Sequence, residues 1–161
     1  MKISTRGRYA LRVMIDLAEH AGGGFIPLKE IARRQNISQK YLESIMPALS
    51  REGLVTGLHG KGGGYRLARA PQSCAVGEIL RLTEGNLSPV ACLEPDAKPC
   101  AYAAECRTLS MWVKLDRMIN GFFDSISLAD LVQSGKGEKN DAAPCAACVH
   151  AGTAPAPRGI L

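Results

Sequence analysis

A mainly α fold with a small β wing is predicted by three observations on the sequence. Apolar residues recur at helical spacing in successive short stretches of the first 85 residues. Two β-prone runs, Leu54-Val55-Thr56-Gly57-Leu58 and Tyr65-Arg66-Leu67, flank the glycine-rich segment His59-Gly60-Lys61-Gly62-Gly63-Gly64. Beyond residue 106, a long amphipathic stretch predicts one extended C-terminal helix.

The first helix is expected from Ser4 to Ala21, with Leu11, Met14, Ile15, Leu17, Ala18 and Ala21 on one face. Gly22-Gly23-Gly24 ends it, since glycine readily takes left-handed turn geometry. Pro27 is suited to open a short second helix through Leu28, Ile31 and Ala32. Asn36-Ile37-Ser38 breaks that helix, and Ser38 is a natural N-cap for a third through Tyr41, Leu42, Ile45 and Leu49, closed by Gly53. Pro47 should kink this helix or force a local adjustment.

Two short helices joined by a few turn residues form the helix-turn-helix pattern, and the following hairpin is its wing. The second helix has a polar first turn: Ser38, Gln39, Lys40, Glu43 and Ser44 are able to read base edges or hold phosphates. At the wing tip, His59 and Lys61 stand among glycines that permit close approach to a phosphate backbone or minor groove. The glycine run lacks the Gly-Lys-Ser/Thr ending of a nucleotide-binding loop.

Charge divides along the chain. Residues 1–70 carry 12 Lys and Arg against 5 Asp and Glu, whereas residues 71–161 carry 8 against 10, so the whole basic excess lies in the first half. A polyanion-binding module joined to something else is the reading this supports. No apolar run approaches the roughly 20 residues that span a bilayer, and the start Met-Lys-Ile-Ser-Thr-Arg-Gly-Arg lacks a signal-peptide core, so a cytoplasmic location without membrane association is expected. In a reducing compartment the six cysteines are metal ligands, redox thiols or core residues rather than a disulfide framework.

Three of them fall in one loop. Cys92, Cys100 and Cys106 are separated by Pro95 and Pro99, which prevent a continuous helix and present the thiols from irregular backbone. Cys74, beside an apolar helix over 76–83, reads as core, and Cys145-Ala-Ala-Cys148 as an incidental thiol pair. From Arg107 to Ile126 the chain reads as one helix whose seam, Trp112, Leu115, Ile119, Phe122 and Ile126, advances in steps of three and four. Met111, Met118 and Phe123 widen the stripe beyond one small domain's needs, so a homodimer packed on this helix is expected. The Ala/Pro-rich end lacks periodicity and reads as disordered.

The segments Lys2 to Leu11, Ser38 to Glu43, Gly53-Leu54-Val55, Gly60 to Tyr65 and Ser127 to Leu131 resemble the winged-helix transcription regulators typified by IscR, NsrR and CymR. The resemblance spans nearly all of residues 1–132. It implies a homodimer that binds a pseudo-palindromic operator in double-stranded DNA, with long C-terminal helices crossed between subunits. The DNA-contacting set is then Ser4, Arg6, Arg8, Lys29, Ser38, Gln39, Lys40, Tyr41, Glu43, Ser44, His59, Lys61, Gly62 and Gly63, with Glu43 discriminating a base and His59 replacing the arginine some relatives carry. The resemblance makes Cys92, Cys100 and Cys106 ligands of an iron–sulfur cluster, 2Fe-2S with 4Fe-4S as the alternative. It supplies no fourth ligand: Leu109 stands where IscR-like relatives have histidine, and Arg8 where NsrR-like relatives have an acid. Zinc binding, a thiol switch, or CymR-like control by a metabolic-enzyme partner are the alternatives for the same loop.

The expected organisation is a winged helix-turn-helix domain over 1–85, a cysteine-bearing sensor loop over 86–106, a dimerisation helix over 107–132 and a disordered tail over 133–161. No nucleophile, histidine and carboxylate fall into a catalytic set, so the chain is not expected to be an enzyme.

Overall fold

The computed structural model describes residues 2–137. Helix α1 (Thr5–Glu19) starts where Ser4 caps it, its hydroxyl accepting from the Gly7 amide at 3.2 Å. His20, rather than the glycines beyond it, forms the C-terminal cap. Helix α2 (Leu28–Gln35) opens after Pro27 and stops at Asn36, whose φ of 51° turns the chain left-handed. Ser38 then caps helix α3 (Gln39–Arg51), accepting from the Tyr41 amide at 3.2 Å. Pro47 lies inside α3 without ending it. It deprives the Glu43 carbonyl of its usual donor at an exposed position, where water can replace it.

Strands β1 (Val55–Leu58) and β2 (Gly64–Leu67) pair antiparallel, Val55 opposite Leu67 and Leu58 opposite Gly64. A reciprocal pair of backbone hydrogen bonds between Ile26 and Tyr65, both 2.8 Å, ties this wing to the entry of α2. Gly64 permits that approach, because a Cβ there would overlap the Ile26 carbonyl. Helix α4 (Val76–Glu84) follows, then the long loop, helix α5 (Leu109–Ser125) and helix α6 (Leu128–Gly137).

The main core packs Val13, Met14 and Leu17 of α1 against Ile31 of α2, Leu42, Ile45, Met46 and Leu49 of α3, and Leu54, Cys74, Ile79 and Leu128. Removing each large side chain from water contributes about 1.5–3 kcal/mol, so this helical face holds the domain together. Cys74 is buried here, as its apolar surroundings in the sequence suggested.

The C-terminal region departs from expectation in three ways. The expected helix over 107–132 is divided: α5 ends at Ser125, and Ile126 and Ser127 are extended toward α4, with the Val76 amide donating to the Ile126 carbonyl at 2.9 Å and the Leu128 amide to the Cys74 carbonyl at 2.8 Å. Ser127 and Asp130 then form a reciprocal capping box, with Ser127 Oγ donating to Asp130 Oδ2 at 2.6 Å and the Asp130 amide donating to Ser127 Oγ at 3.2 Å. The expected disordered tail therefore starts too early, because α6 carries helix through residue 137; the remainder of that tail, with Cys145 and Cys148, lies outside the described residues.

The expected seam also splits. Ile119 and Ile126, together with Phe123, pack on Val76, Leu80 and Leu87 of the same chain. Leu115 and Phe122 instead face outward with Met111 and Met118, at 37%, 61%, 52% and 61% exposure respectively. Trp112 is half-buried. Rotating the stripe by about one residue satisfies the intramolecular core while leaving a separate apolar ridge on the surface.

Candidate nucleic-acid interface and cysteine loop

Capping by Ser38 fixes the first turn of α3 so that Gln39, Lys40, Glu43 and Ser44 are all exposed. Gln39 Nε2 donates to Glu43 Oε1 at 2.9 Å, orienting one carboxylate oxygen along the helix surface. Arg6 reaches across from α1 to donate to the Ser44 carbonyl at 3.3 Å, which sets a guanidinium beside the same helix.

A cleft of about 370 Å³ between this helix and the wing brings together Lys29, Gln39, Glu43, His59 and Gly63. Lys61 and Gly62 project at the wing tip beyond that lining, where φ values of +96° at Gly60 and +77° at Gly62 form the turn. Lysines 29, 40 and 61 and Arg6 are exposed, giving the face a cationic balance with Glu43 as its acid. Arg8 is exposed too, but its guanidinium donates to Thr5 Oγ1 on its own helix at 3.1 Å.

Two of the residues expected on the DNA also make intramolecular contacts. Besides capping α1, Ser4 donates from its hydroxyl to Glu84 Oε1 at 2.7 Å, joining α1 to the end of α4. Tyr41 is half-buried against the core, its ring edge-on to Tyr9 at 5.4 Å. Both keep part of their surface accessible while bracing the face.

The loop between α4 and α5 carries Cys92 in a 3-10 turn (Ala91–Leu93), Cys100 in irregular backbone and Cys106 directly after a second 3-10 turn (Ala103–Glu105). Cys92 and Cys100 are exposed and Cys106 half-exposed. Its short-range backbone bonds include Glu94 to Ala91, Ala97 to Glu94 and Ala103 to Cys100. Among the described residues no three His, Cys, Asp or Glu side chains converge as an ion-holding group. Three thiols are a donor set suited to an iron–sulfur cluster, but the spacing of this loop conformation does not gather them.

Cys106 differs from the other two. A hydrogen bond from the Thr108 hydroxyl, at 3.5 Å from Sγ, and the amides of Thr108 and Leu109 hold its thiol below the usual range, outweighing its slight burial. It stands at the N-terminal end of α5, where the helix macrodipole also favours the thiolate. Cys74 is pushed the other way, chiefly by burial.

A family model described as Rrf2, iron-dependent transcriptional regulator, matches residues 3–134. The chain belongs to the Rrf2 family of transcriptional regulators. It is 38% identical to the regulator IscR of Aliivibrio salmonicida over 82% of this chain and 77% of that protein. It is 39% identical to CymR of Bacillus subtilis over 86% of this chain and 95% of that protein. Among solved structures, that of CymR, the global cysteine regulator of B. subtilis, superposes with a TM-score of 0.67 at 38% identity, covering 83% of this chain and 97% of the other. IscR of T. potens superposes at 0.65 with 37% identity over 89% and 93%. The recognised fold is thus the winged helix of transcription regulators, not of enzymes.

The Rrf2 winged helix is stiffened here by a buried ionic clasp that periodicity did not disclose. Asp16, fully buried in α1, is held by Arg34 and Gln35 of α2, while Arg12 bonds to the side chain and carbonyl of Gln35. The clasp fixes α2 against α1 and so sets the base on which α3 is presented. An acid at a core-facing helical position, with an arginine on the next helix, was the available signal. Among the described residues, no helix is long and apolar enough to cross a membrane.

Proposed function

We propose that this Rrf2 regulator binds a pseudo-palindromic DNA operator as a homodimer, and that its binding responds to an iron–sulfur cluster ligated by Cys92, Cys100 and Cys106. The observation that carries the reading is the position of the three thiols, accessible in the one long loop between the winged-helix domain and the outward apolar ridge of α5. The fourth ligand is supplied by another residue or an exogenous donor. Cys92, Cys100 and Cys106 would hold the cluster beside the start of α5, which Arg81 links to α4 through Asn120 at 3.0 Å and Asp124.

Anaerobic purification with iron, sulfide and absorption analysis tests the ligand. Colourless protein without iron or sulfide removes the cluster reading. Cys100→Ala should change operator affinity while leaving the protein folded; unchanged binding under all iron and oxygen conditions removes the sensor role.

The second reading, a CymR-like thiol switch or partner-controlled regulator without a cluster, is favoured by the separated thiols and the acidified Cys106. Pull-down of a metabolic enzyme from native lysate, or reversible oxidation of Cys106 that alters operator binding in iron-free protein, supports it.

A further inference from the structure

Helix α1 begins against its own dipole. Its first turn carries no acidic residue and holds Arg6 and Arg8, two exposed cations at the end where a helix stabilises negative charge. The missing anion comes from another element. Glu84, the last residue of α4, accepts at Oε1 from the Ser4 hydroxyl at 2.7 Å and from the Ser4 amide at 3.2 Å. Donating its proton to Glu84 leaves the Ser4 oxygen to accept from the Gly7 amide, so one carboxylate completes the cap of a helix distant in sequence.

The surroundings are shaped to this approach. Gly7 is buried, and a Cβ on it would overlap the Glu84 carboxylate, so a residue that lowers helix stability relative to alanine stands where the approach needs it. On the other side, Arg81, one turn earlier on α4, is bound to Asn120 at 3.0 Å and to Asp124 of α5, and Gly85 ends α4 with a φ of 84°. Glu84 is therefore a fixed post against which the start of α1 is set. Two residues after Ser4, Arg6 crosses to α3 and donates to the Ser44 carbonyl at 3.3 Å while its side chain stays exposed.

We propose that Glu84 is a positioning residue for DNA binding: its carboxylate holds the first turn of α1 so that Arg6 is presented beside the exposed face of α3 to a backbone phosphate. The proposal rests on the reading of that face as the nucleic-acid interface and is independent of the cysteine loop. Its sign is opposite to that of simple electrostatics. Removing an acid from a DNA-binding domain should strengthen binding through reduced repulsion, whereas releasing α1 from Glu84 costs the Arg6 contact and weakens it.

The test is fluorescence anisotropy of a labelled mixed-sequence duplex over a salt series with the full chain, and circular dichroism of each variant. Arg6→Ala should lower the log–log salt slope by about 0.9 for each Arg6 removed from a phosphate, and Glu84→Ala should lower it nearly as much. The double variant should lose no more than Arg6→Ala alone, because both changes remove one contact, while Glu84→Ala with Lys61→Ala should lose the sum. Glu84→Gln, which keeps an oxygen acceptor for Ser4, should keep the wild-type slope. Gly7→Ala gives a variant that favours the helix: its methyl displaces the Glu84 carboxylate, and it should reproduce the Glu84→Ala loss with native helicity. Tighter binding or a wild-type slope in Glu84→Ala, additive losses with Arg6→Ala, a glutamine variant no better than alanine, or a wild-type slope in Gly7→Ala each overturns the positioning role alone. A wild-type chain without salt-dependent duplex binding, or Arg6→Ala with an unchanged slope, removes the reading of the interface at Arg6 and the proposal with it.

Discussion

Arg34 on α2 grips Asp16 on α1 with both edges of its guanidinium, Nε donating to Oδ1 at 2.9 Å and Nη2 to Oδ2 at 2.7 Å. Gln35 Nε2 adds a third donor to Oδ1 at 3.0 Å, so a carboxylate with no solvent exposure is closed on several sides. Burial alone would raise the Asp16 carboxyl; the bonds from Arg34 and Gln35 and the nearby positive charge overcome it and hold the group below its ordinary value.

A carboxyl depressed in the folded state contributes stability that is complete above the unfolded value of about 3.9 and is lost as pH falls through the folded value. Asp16→Ala should cost about 3 kcal/mol at neutral pH, the low end for a broken buried pair, because Arg34 keeps 22% of its side-chain surface in water. Urea denaturation of wild type and variant should converge toward acid. A difference unchanged between about pH 7 and about pH 2 would show that the clasp carries no charge-dependent stability.

Thr108 gives a second handle, on the cysteine loop. Its hydroxyl is the largest influence lowering the Cys106 thiol, and its side chain makes no capping bond to α5. Thr108→Val should therefore move the pH midpoint of iodoacetamide alkylation at Cys106 upward without melting the helix, with Cys92 and Cys100 as internal references. Cys74, buried and shifted upward, should stay unlabelled until the protein unfolds. An unmoved Cys106 midpoint in the variant refutes the assigned cause.

On the DNA face, Lys40 on α3 and Lys61 at the wing tip are exposed cations on opposite sides of the cleft that holds Glu43 and His59. Replacing either with alanine should weaken binding across unrelated sequences and reduce the log–log salt slope by about 0.9, because each phosphate that is no longer neutralised keeps its condensed counterion. Fluorescence anisotropy over a salt series measures this. A slope equal to wild type places that lysine off the backbone.

The helix-turn-helix and wing were legible because their boundaries are local chemistry: Ser4, Ser38 and Asn36 act within a turn, and the glycines of the wing tip satisfy positive φ values. The Asp16–Arg34 clasp was not, since a helical period marks which face is buried and says nothing about which distant side chain satisfies a buried acid. The break between α5 and α6 was readable from Ser127-x-x-Asp130, a capping box, but the apolar period runs on through Ile126 and masks it. In the seam, helical spacing alone admits two neighbouring phases, and packing of Ile119 and Phe123 on α4 selects one. The three loop cysteines are adjacent in the sequence itself, and the resemblance to IscR-type regulators only implied a ligand role for them; their geometry depends on backbone that no periodicity governs.

That choice of phase also leaves a candidate surface for the proposed dimer. Met111, Leu115, Met118 and Phe122 advance by four, three and four residues along α5 and all face solvent in the single chain. Such a ridge is the a/d pattern of a helix expecting a partner helix, and an isolated ridge of this kind on the surface is costly. Ile119, in contrast, is committed to the chain's own core. Met118→Glu combined with Phe122→Glu should convert a dimer to monomers, weakening association by more than about a hundredfold, since two interfacial side chains at about 1.5 kcal/mol or more each are exchanged for charges that must be desolvated. Sedimentation velocity with circular dichroism separates the outcomes: monomer with native helicity is expected. A dimer that survives both substitutions would place the subunit contact on another face, and Ile119→Glu, which should unfold the α4–α5 packing, then distinguishes the intramolecular face from the exposed one.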